Sequence, residues 1–364
     1  MHFEDLMRPH LRNVKPYVPG KPTEELRREK NFKGEIIKLA SNENSHPPIE
    51  EIKKAISDEM ANINRYPNSG CYYLCRELAE YHGLTSDNIF VGNGSNEIID
   101  LLVRAFLNPG EEIVYPFPSF IVYPIVTQLA GVEGIEVPLQ DYRLDLDAMK
   151  QNITRKTKMV FICNPNNPTG TYVTQKEVEI FLNGLRPDIL VVFDEAYFEY
   201  VVADDYPDTM SLMRQHRNII ILRTFSKIFS LSGLRIGYSI SDAEIVTCLH
   251  KVRQPFNVNR IAQVSARAAL AYADKVKKLV EENREQLKFV CEEMQKLGFT
   301  VPPSQTNFIL AIPPAGKIDI VDKLMNVGII VRGTKPFGLG EAFRVTIGTP
   351  YENERFISAL NDLM

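Results

Sequence analysis

Between residues 88 and 240 the sequence repeats one unit: a short apolar run, a turn of small and polar residues, then a segment of helical period. The runs are Ile89-Phe90-Val91, Glu112 to Tyr115, Val132 to Val137, Met159 to Ile162, Ile189 to Phe193, Ile219 to Leu222 and Arg235 to Ile240. Most are apolar at every position and rich in Val and Ile. That pattern fits strands covered on both faces, and strands alternating with helices imply a mostly parallel sheet. The fold class expected is therefore α/β, with a large domain whose seven-stranded, mostly parallel sheet lies between helices.

The character changes on either side of this block. Residues 1–34 carry Pro9, Pro16, Pro19, Gly20 and Pro22, which exclude a long helix and read as an N-terminal arm. Beyond Pro255 comes a helix-rich, Lys- and Glu-rich stretch from Ile261 to Leu297. Strands are expected at Phe299-Thr300-Val301, Asn307 to Ile312, Ile329 to Val331 and Ala342 to Gly348. This suits a smaller α+β domain, formed by residues 35–48 with 256–364, beside a large domain of residues 49–255. A chain of 364 residues is long enough for two such units.

Composition excludes several function classes. A formal net charge of −4 and the lack of a basic block argue against a nucleic-acid surface. The longest apolar runs are about strand length, too short for a membrane span. The opening Met1 to Asp5 has no basic or apolar leader, and the five cysteines show no metal-like pairing. They read as free thiols in a reducing cytoplasm, and no metal is expected.

In parallel α/β sheets, ligands sit at the carboxyl ends of the strands. There the sequence places Gly94-Ser95, Phe120, Asn167, Asp194 with Tyr197, and Lys227. Gly92 to Glu97 is a small-residue turn opening a helix, the arrangement that binds phosphate on backbone N–H groups. Lys227 follows the apolar run at 219–222. Desolvation lowers the pKa of such a lysine, and a cation at Arg235 acts the same way. A partly neutral amine is a nucleophile toward carbonyls. For a lone lysine in such a turn the reading as a surface residue usually wins; its neighbours decide. Those neighbours suit pyridoxal phosphate, whose pyridine nitrogen stays protonated beside a buried carboxylate such as Asp194.

The motifs Asn164-Pro-Asn-Asn-Pro-Thr-Gly170, Asp194-Glu-Ala-Tyr197 and Ser226-Lys227, with Gly233-Leu-Arg235-Ile-Gly237, occur in that order. As a set they resemble the fold type I, aspartate-aminotransferase-like family of pyridoxal-phosphate enzymes, over nearly the whole chain. The resemblance implies that Lys227 bonds the cofactor and moves the substrate proton, while Asp194 pairs the ring nitrogen. It assigns Tyr197 and Asn167 to the ring oxygen, and Ser226, Arg235 and the Gly94-Ser95-Asn96 turn to the phosphate. Phe120 matches the residue stacked on the ring. Arg344 matches the arginine that forks a substrate α-carboxylate. Tyr66, in Arg65-Tyr66-Pro67, matches a tyrosine reaching the neighbouring subunit's cofactor, which implies a homodimer.

Within the family the chain is most similar to the branch that acts on histidinol phosphate. Pro16 to Pro22, Leu39 to Asn44, Val331-Arg332-Gly333 and Phe343 to Thr349 carry that similarity. It implies glutamate and 2-oxoglutarate as the other substrate pair, with Arg332 on the substrate phosphate and Tyr17 and Asn42 lining the substrate pocket. Three positions depart from the pattern: Phe120 replaces a tyrosine, Ser45-His46-Pro47-Pro48 replaces a turn with Pro and Gly, and Asn96 stands where relatives are often acidic. Three other readings share the scaffold: an aromatic amino acid transaminase for phenylalanine or tyrosine, a threonine-phosphate decarboxylase, and a cofactor-binding regulator. The last usually carries an added DNA-binding domain, for which strands beginning at Ile36 leave no room.

Overall fold

The computed structural model describes every residue except 1, 13, 15, 17–19, 21, 22, 31 and 318. Its strands in chain order are β1 (Ile37–Leu39), β2 (Ile89–Gly92), β3 (Glu112–Phe117), β4 (Glu133–Pro138), β5 (Thr157–Cys163), β6 (Leu190–Asp194), β7 (Ile219–Thr224) and β8 (Gly237–Ile240). They continue as β9 (Phe308–Ala311), β10 (Ile329–Gly333) and β11 (Phe343–Thr346).

Seven strands form one sheet in the order β2-β8-β7-β6-β5-β3-β4. The pairs from β7 through β6, β5 and β3 to β4 are parallel, and β8 runs antiparallel to both β7 and β2. The expected mostly parallel sheet is therefore present. Its exception has a simple cause: the short link from β7 to β8 forms the Lys227 turn and a 3-10 turn, Ser232–Leu234, and contains no crossover helix. The run expected as a strand from Arg235 begins only at Gly237, because Arg235 ends that turn with a left-handed φ of 55°.

Successive side chains of β6 and β7 enter opposite cores. Val191, Phe193, Ile219 and Ile221 pack on one face, while Val192, Ile220 and Leu222 pack on the other. Each such burial contributes about 1.5–3 kcal/mol, so a register slip in these strands is strongly disfavoured.

A second, four-stranded sheet has the order β1-β10-β11-β9. Its own core includes Val290 and Met294 of the helix Ala273–Lys296 and Phe356 and Leu360 of the helix Pro350–Leu363. Thr349 and Glu352 cap the latter helix reciprocally. Three details differ from expectation. Phe299-Thr300-Val301 makes only an isolated bridge from Thr300 to Ile312, since Pro302 and Pro303 cannot donate to a ladder. The arm holds a helix, Thr23–Lys30, whose Leu26 is buried against Ala40 and Ile330. The helix Arg260–Ala271, grouped by sequence with the small unit, buries Ala262, Ala266 and Ala269 in the large sheet's core. The long helix after it joins both cores, with Val276 in the first and Val290 in the second.

No helix among the described residues is long and apolar enough to cross a membrane, and none of their His, Cys, Asp and Glu side chains forms a group of three or more that could hold a metal ion.

Candidate active site

A cavity of about 400 Å³ lies where the carboxyl ends of β5, β6 and β7 face β1, β10 and β11. Asn42, Ser95, Asn96, Phe120, Asn167, Asp194, Tyr197, Ser226, Lys227, Arg235, Arg332 and Arg344 all line it. These residues come from widely separated parts of the chain, and the topology alone brings them together.

Asp194 ends β6 and is 2% exposed. One oxygen, Oδ2, accepts a hydrogen bond of 2.8 Å from the Tyr123 hydroxyl, while Oδ1 is buried with no partner. Burial raises its pKa to about 6, against the lowering effect of Tyr123, the Ala196 amide and Lys227. A buried acceptor left open is costly unless a ligand meets it.

Lys227 is half-buried, and its amine lies 5.4 Å from the centre of the Tyr197 ring. Burial and then the Arg344 cation lower its pKa to about 8, so the free amine is accessible near neutral pH. The Asn44 side chain donates to the Ile228 carbonyl at 3.0 Å, tying the loop after β1 to the residue beside Lys227. From the same loop, Asn42 donates to the Tyr197 hydroxyl at 2.8 Å.

Gly94 caps the helix Ser95–Phe106 with φ 78°. A Cβ there would stand 2.7 Å from Nη2 of Arg235, and one on Gly237 would stand 2.7 Å from the Ser95 nitrogen. The two glycines thus let a helix N-terminus, the Arg235 guanidinium and the Ser226 hydroxyl converge, with Arg235 Nη1 3.5 Å from Ser226 Oγ. Such a convergence binds an anion.

On the opposite wall, Arg332 of β10 and Arg344 of β11 are direct cross-strand partners. Arg344 donates to Asn167 Oδ1 at 2.5 Å and to the Ala40 carbonyl at 2.7 Å. Arg332 lies 5.6 Å from the Phe337 ring centre. Like charges directly opposite are destabilising by themselves, and a bound anion would offset that cost.

Two of the described site residues expected from sequence, Gly94 and Tyr66, do not line the cavity. Gly94 stands just behind Arg235. Tyr66 is 78% exposed and stacks on Phe256 at 4.6 Å in a separate cleft. Tyr17 lies outside the described residues. Tyr123, by contrast, was not singled out by sequence reasoning. Its signal was present: a tyrosine within the apolar helix Val122–Ala130 must find a partner for its hydroxyl when buried.

An unmatched carboxylate oxygen, a lysine of lowered pKa and an anion cradle surround one cavity. That set suits a flat heteroaromatic aldehyde carrying a phosphate. The sequence matches the family model for aminotransferase class I and II over residues 34–360. The chain belongs to that class of aminotransferases. Within it, similar curated proteins are histidinol-phosphate aminotransferases. The one from Moorella thermoacetica is 44% identical over 97% of this chain and 91% of its own. That from Carboxydothermus hydrogenoformans, designated number 2, is 41% identical over 98% of both chains. A solved structure of the Sinorhizobium meliloti enzyme in complex with pyridoxal 5′-phosphate superposes with a TM-score of 0.89. It is 27% identical, and the match covers 98% of this chain and 97% of that one.

Proposed function

We propose that this chain transfers the amino group of L-histidinol phosphate to 2-oxoglutarate, giving imidazole acetol phosphate and L-glutamate, with pyridoxal 5′-phosphate as cofactor. The observation that carries the reading is the pairing of Arg332 and Arg344 in the cavity that also holds Lys227 and Asp194. The two amino donors differ in their anions: glutamate offers carboxylates and histidinol phosphate a phosphate. Two guanidiniums on adjacent strands suit that double demand, because each can donate two N–H groups to two oxygens of a carboxylate or a phosphate.

The residues present fit the cofactor. Asp194 Oδ1 is the open acceptor for a protonated ring nitrogen, and the Gly94-Ser95-Asn96 turn with Ser226 and Arg235 forms a cradle for its phosphate. When bound, pyridoxal phosphate supplies an aldehyde that takes up the amino group and a cationic ring that draws electrons from Cα.

Around it, each residue has a distinct task. Lys227 Nζ would hold the cofactor through its aldehyde and, once displaced by the substrate amine, would carry a proton from the substrate Cα. Its lowered pKa makes both steps feasible at neutral pH. Asp194 holds the ring proton, kept ionised there by the cation it faces and by Tyr123. Tyr197 and Asn167 address the ring oxygen: Asn42 orients the Tyr197 hydroxyl, and Arg344 takes Asn167 Oδ1, directing the amide donor of Asn167 to the cavity. Phe120 and Ile121 line the cavity, where Phe120 would cover the face of the bound ring and limit the access of water. Arg344 takes the glutamate α-carboxylate and Arg332 the substrate phosphate; Tyr17 and Asn42 line the same pocket in this reading.

We also infer a cytoplasmic homodimer. The exposure of Tyr66 and of Phe256, on which it stacks, supports a contact with a neighbouring subunit, and three buried free cysteines suit a reducing compartment.

Arg332→Ala tests the substrate assignment. It is expected to raise the KM for histidinol phosphate by about a hundredfold, the worth of a charge-assisted pair, and that for glutamate by less than fivefold. Equal losses in steady-state kinetics would contradict the phosphate role. Tyr123→Phe tests the Asp194 anchor. With one donor to a buried carboxylate lost, cofactor affinity is expected to fall about tenfold in an absorbance titration of the cofactor-free protein. Unchanged affinity would remove Tyr123 from the site.

A further inference from the structure

We propose that Arg223 and Glu195 are positioning residues, a buried clamp that fixes Asp194 and Tyr197 relative to Lys227 from the side of the sheet opposite the cavity. Neither lines the cavity, and neither is assigned a role by the function proposed above, on which this inference rests.

The clamp follows from strand alternation. Leu222 packs into one core, so its neighbour Arg223 projects into the other face, where it is 4% exposed. Its Nε and Nη2 both donate to Glu195 Oε2 at 3.0 Å. Thr209 donates to Glu195 Oε1 at 2.6 Å, and the guanidinium lies 3.5 Å from the Phe198 ring centre. The backbone reinforces the side chains, since the Glu195 amide donates to the Leu222 carbonyl at 2.9 Å.

The position of these contacts gives them their meaning. Glu195 directly follows Asp194, and Phe198 directly follows Tyr197, so Arg223 grips both ends of the segment bearing two cavity residues. Ser226 and Lys227 stand three and four residues beyond Arg223 on the same strand exit. One guanidinium therefore sets the distance between the carboxylate end and the lysine end of the site. A buried ion pair is weak evidence for stability, because desolvation offsets its attraction and apolar replacements are often neutral. Fixing geometry is the role this pair is placed to perform.

The charged and titratable groups facing Arg223 are Glu195, Glu199, Tyr206, Tyr238 and His82, the last two hydrogen-bonded to each other at 3.1 Å. Burial pushes Glu199 up to about 7 and its Oε2 has no partner, whereas Nε and Nη2 of Arg223 both go to Glu195.

The test compares the holoenzyme with Arg223→Lys, which keeps the charge but loses the fork, and with the uncharged double variant Arg223→Met/Glu195→Gln. Phe356→Leu, in the second core, is a control for lost stability alone. Three quantities are read: the affinity of the cofactor-free protein for pyridoxal phosphate, the pH at which the bound cofactor's visible absorbance changes, and kcat with glutamate. Misplacement of reacting groups by about 1 Å costs about a hundredfold in rate. The double variant is expected to fold, lose kcat by about that factor, and move the absorbance midpoint by about half a pH unit or more. Arg223→Lys is expected to fall between it and the wild type, and Phe356→Leu to lower only the Tm. A double variant with wild-type midpoint and kcat would overturn the clamp. If the double variant does not fold, Arg223→Lys decides on the same readouts, a wild-type midpoint and kcat again overturning it. Wild-type protein that takes up no cofactor would overturn the proposed function itself, and this inference with it.

Discussion

Lys227→Ala is expected to abolish transamination, with a loss of about ten-thousand-fold or more, because the proposed function makes one amine both the nucleophile and the proton carrier. The same change has an opposite effect on stability in the cofactor-free protein. Folding lowers the Lys227 pKa from 10.5 to about 8, so the folded state disfavours the ammonium. Between those values the unfolded chain binds more protons, and stability rises with pH. Below about pH 8 the cost is fully present. Lys227→Met, which fills the space without charge, is therefore expected to raise the cofactor-free Tm at pH 7, with the gain shrinking as pH climbs from about 8 toward 10.5. Thermal melts across that range check the sign; a constant difference would mean that the lysine is not desolvated. Retained turnover in Lys227→Ala would remove it from the mechanism.

Asp194→Asn is expected to retain cofactor binding but lose about a hundred- to ten-thousand-fold in kcat, since a neutral amide would not hold the ring nitrogen's proton. Here too stability and catalysis oppose each other. Folding raises the Asp194 pKa from 3.8 to about 6. In that interval the folded state binds more protons than the unfolded one, so stability falls as pH rises and the full cost remains above about pH 6. In the cofactor-free protein, Asp194→Asn is expected to be the more stable form at pH 8, with the advantage vanishing near pH 4. Bound cofactor should cancel the advantage by supplying the missing cation. Near-wild-type turnover, measured with glutamate, would sink the role given to Asp194. A residue that weakens the empty fold and sustains the reaction is what a functional site predicts.

Much of this was readable in the sequence, for a physical reason. Wholly apolar, β-branched runs specify strands buried on both faces, and the polar residues that follow them must lie at one edge of the sheet. Asp194, Tyr197 and Lys227, which line the cavity, were placed at that edge on this ground. Direction was harder, because the β7–β8 link carries no crossover helix, and only its length and glycines hint that β8 turns back. The strand expected at Thr300 failed on Pro302 and Pro303, which the apolar pattern masks. Contacts made sideways were illegible. Tyr123 meets Asp194, and Arg223 meets Glu195, across elements whose spacing depends on packing rather than on period. The change of core inside the helix Ala273–Lys296 was hidden for the same reason: its charged surface continues while its buried stripe moves from one partner to another.

The central claim is that one cavity serves both a cofactor aldehyde and a phosphorylated amino donor. Its most direct test is the visible absorbance of the purified holoenzyme, titrated separately with histidinol phosphate and with phenylalanine, without a keto acid. The account predicts that histidinol phosphate discharges the visible band at a far lower concentration, and that 2-oxoglutarate then restores it. A band discharged equally well by phenylalanine, or untouched by histidinol phosphate, would contradict it.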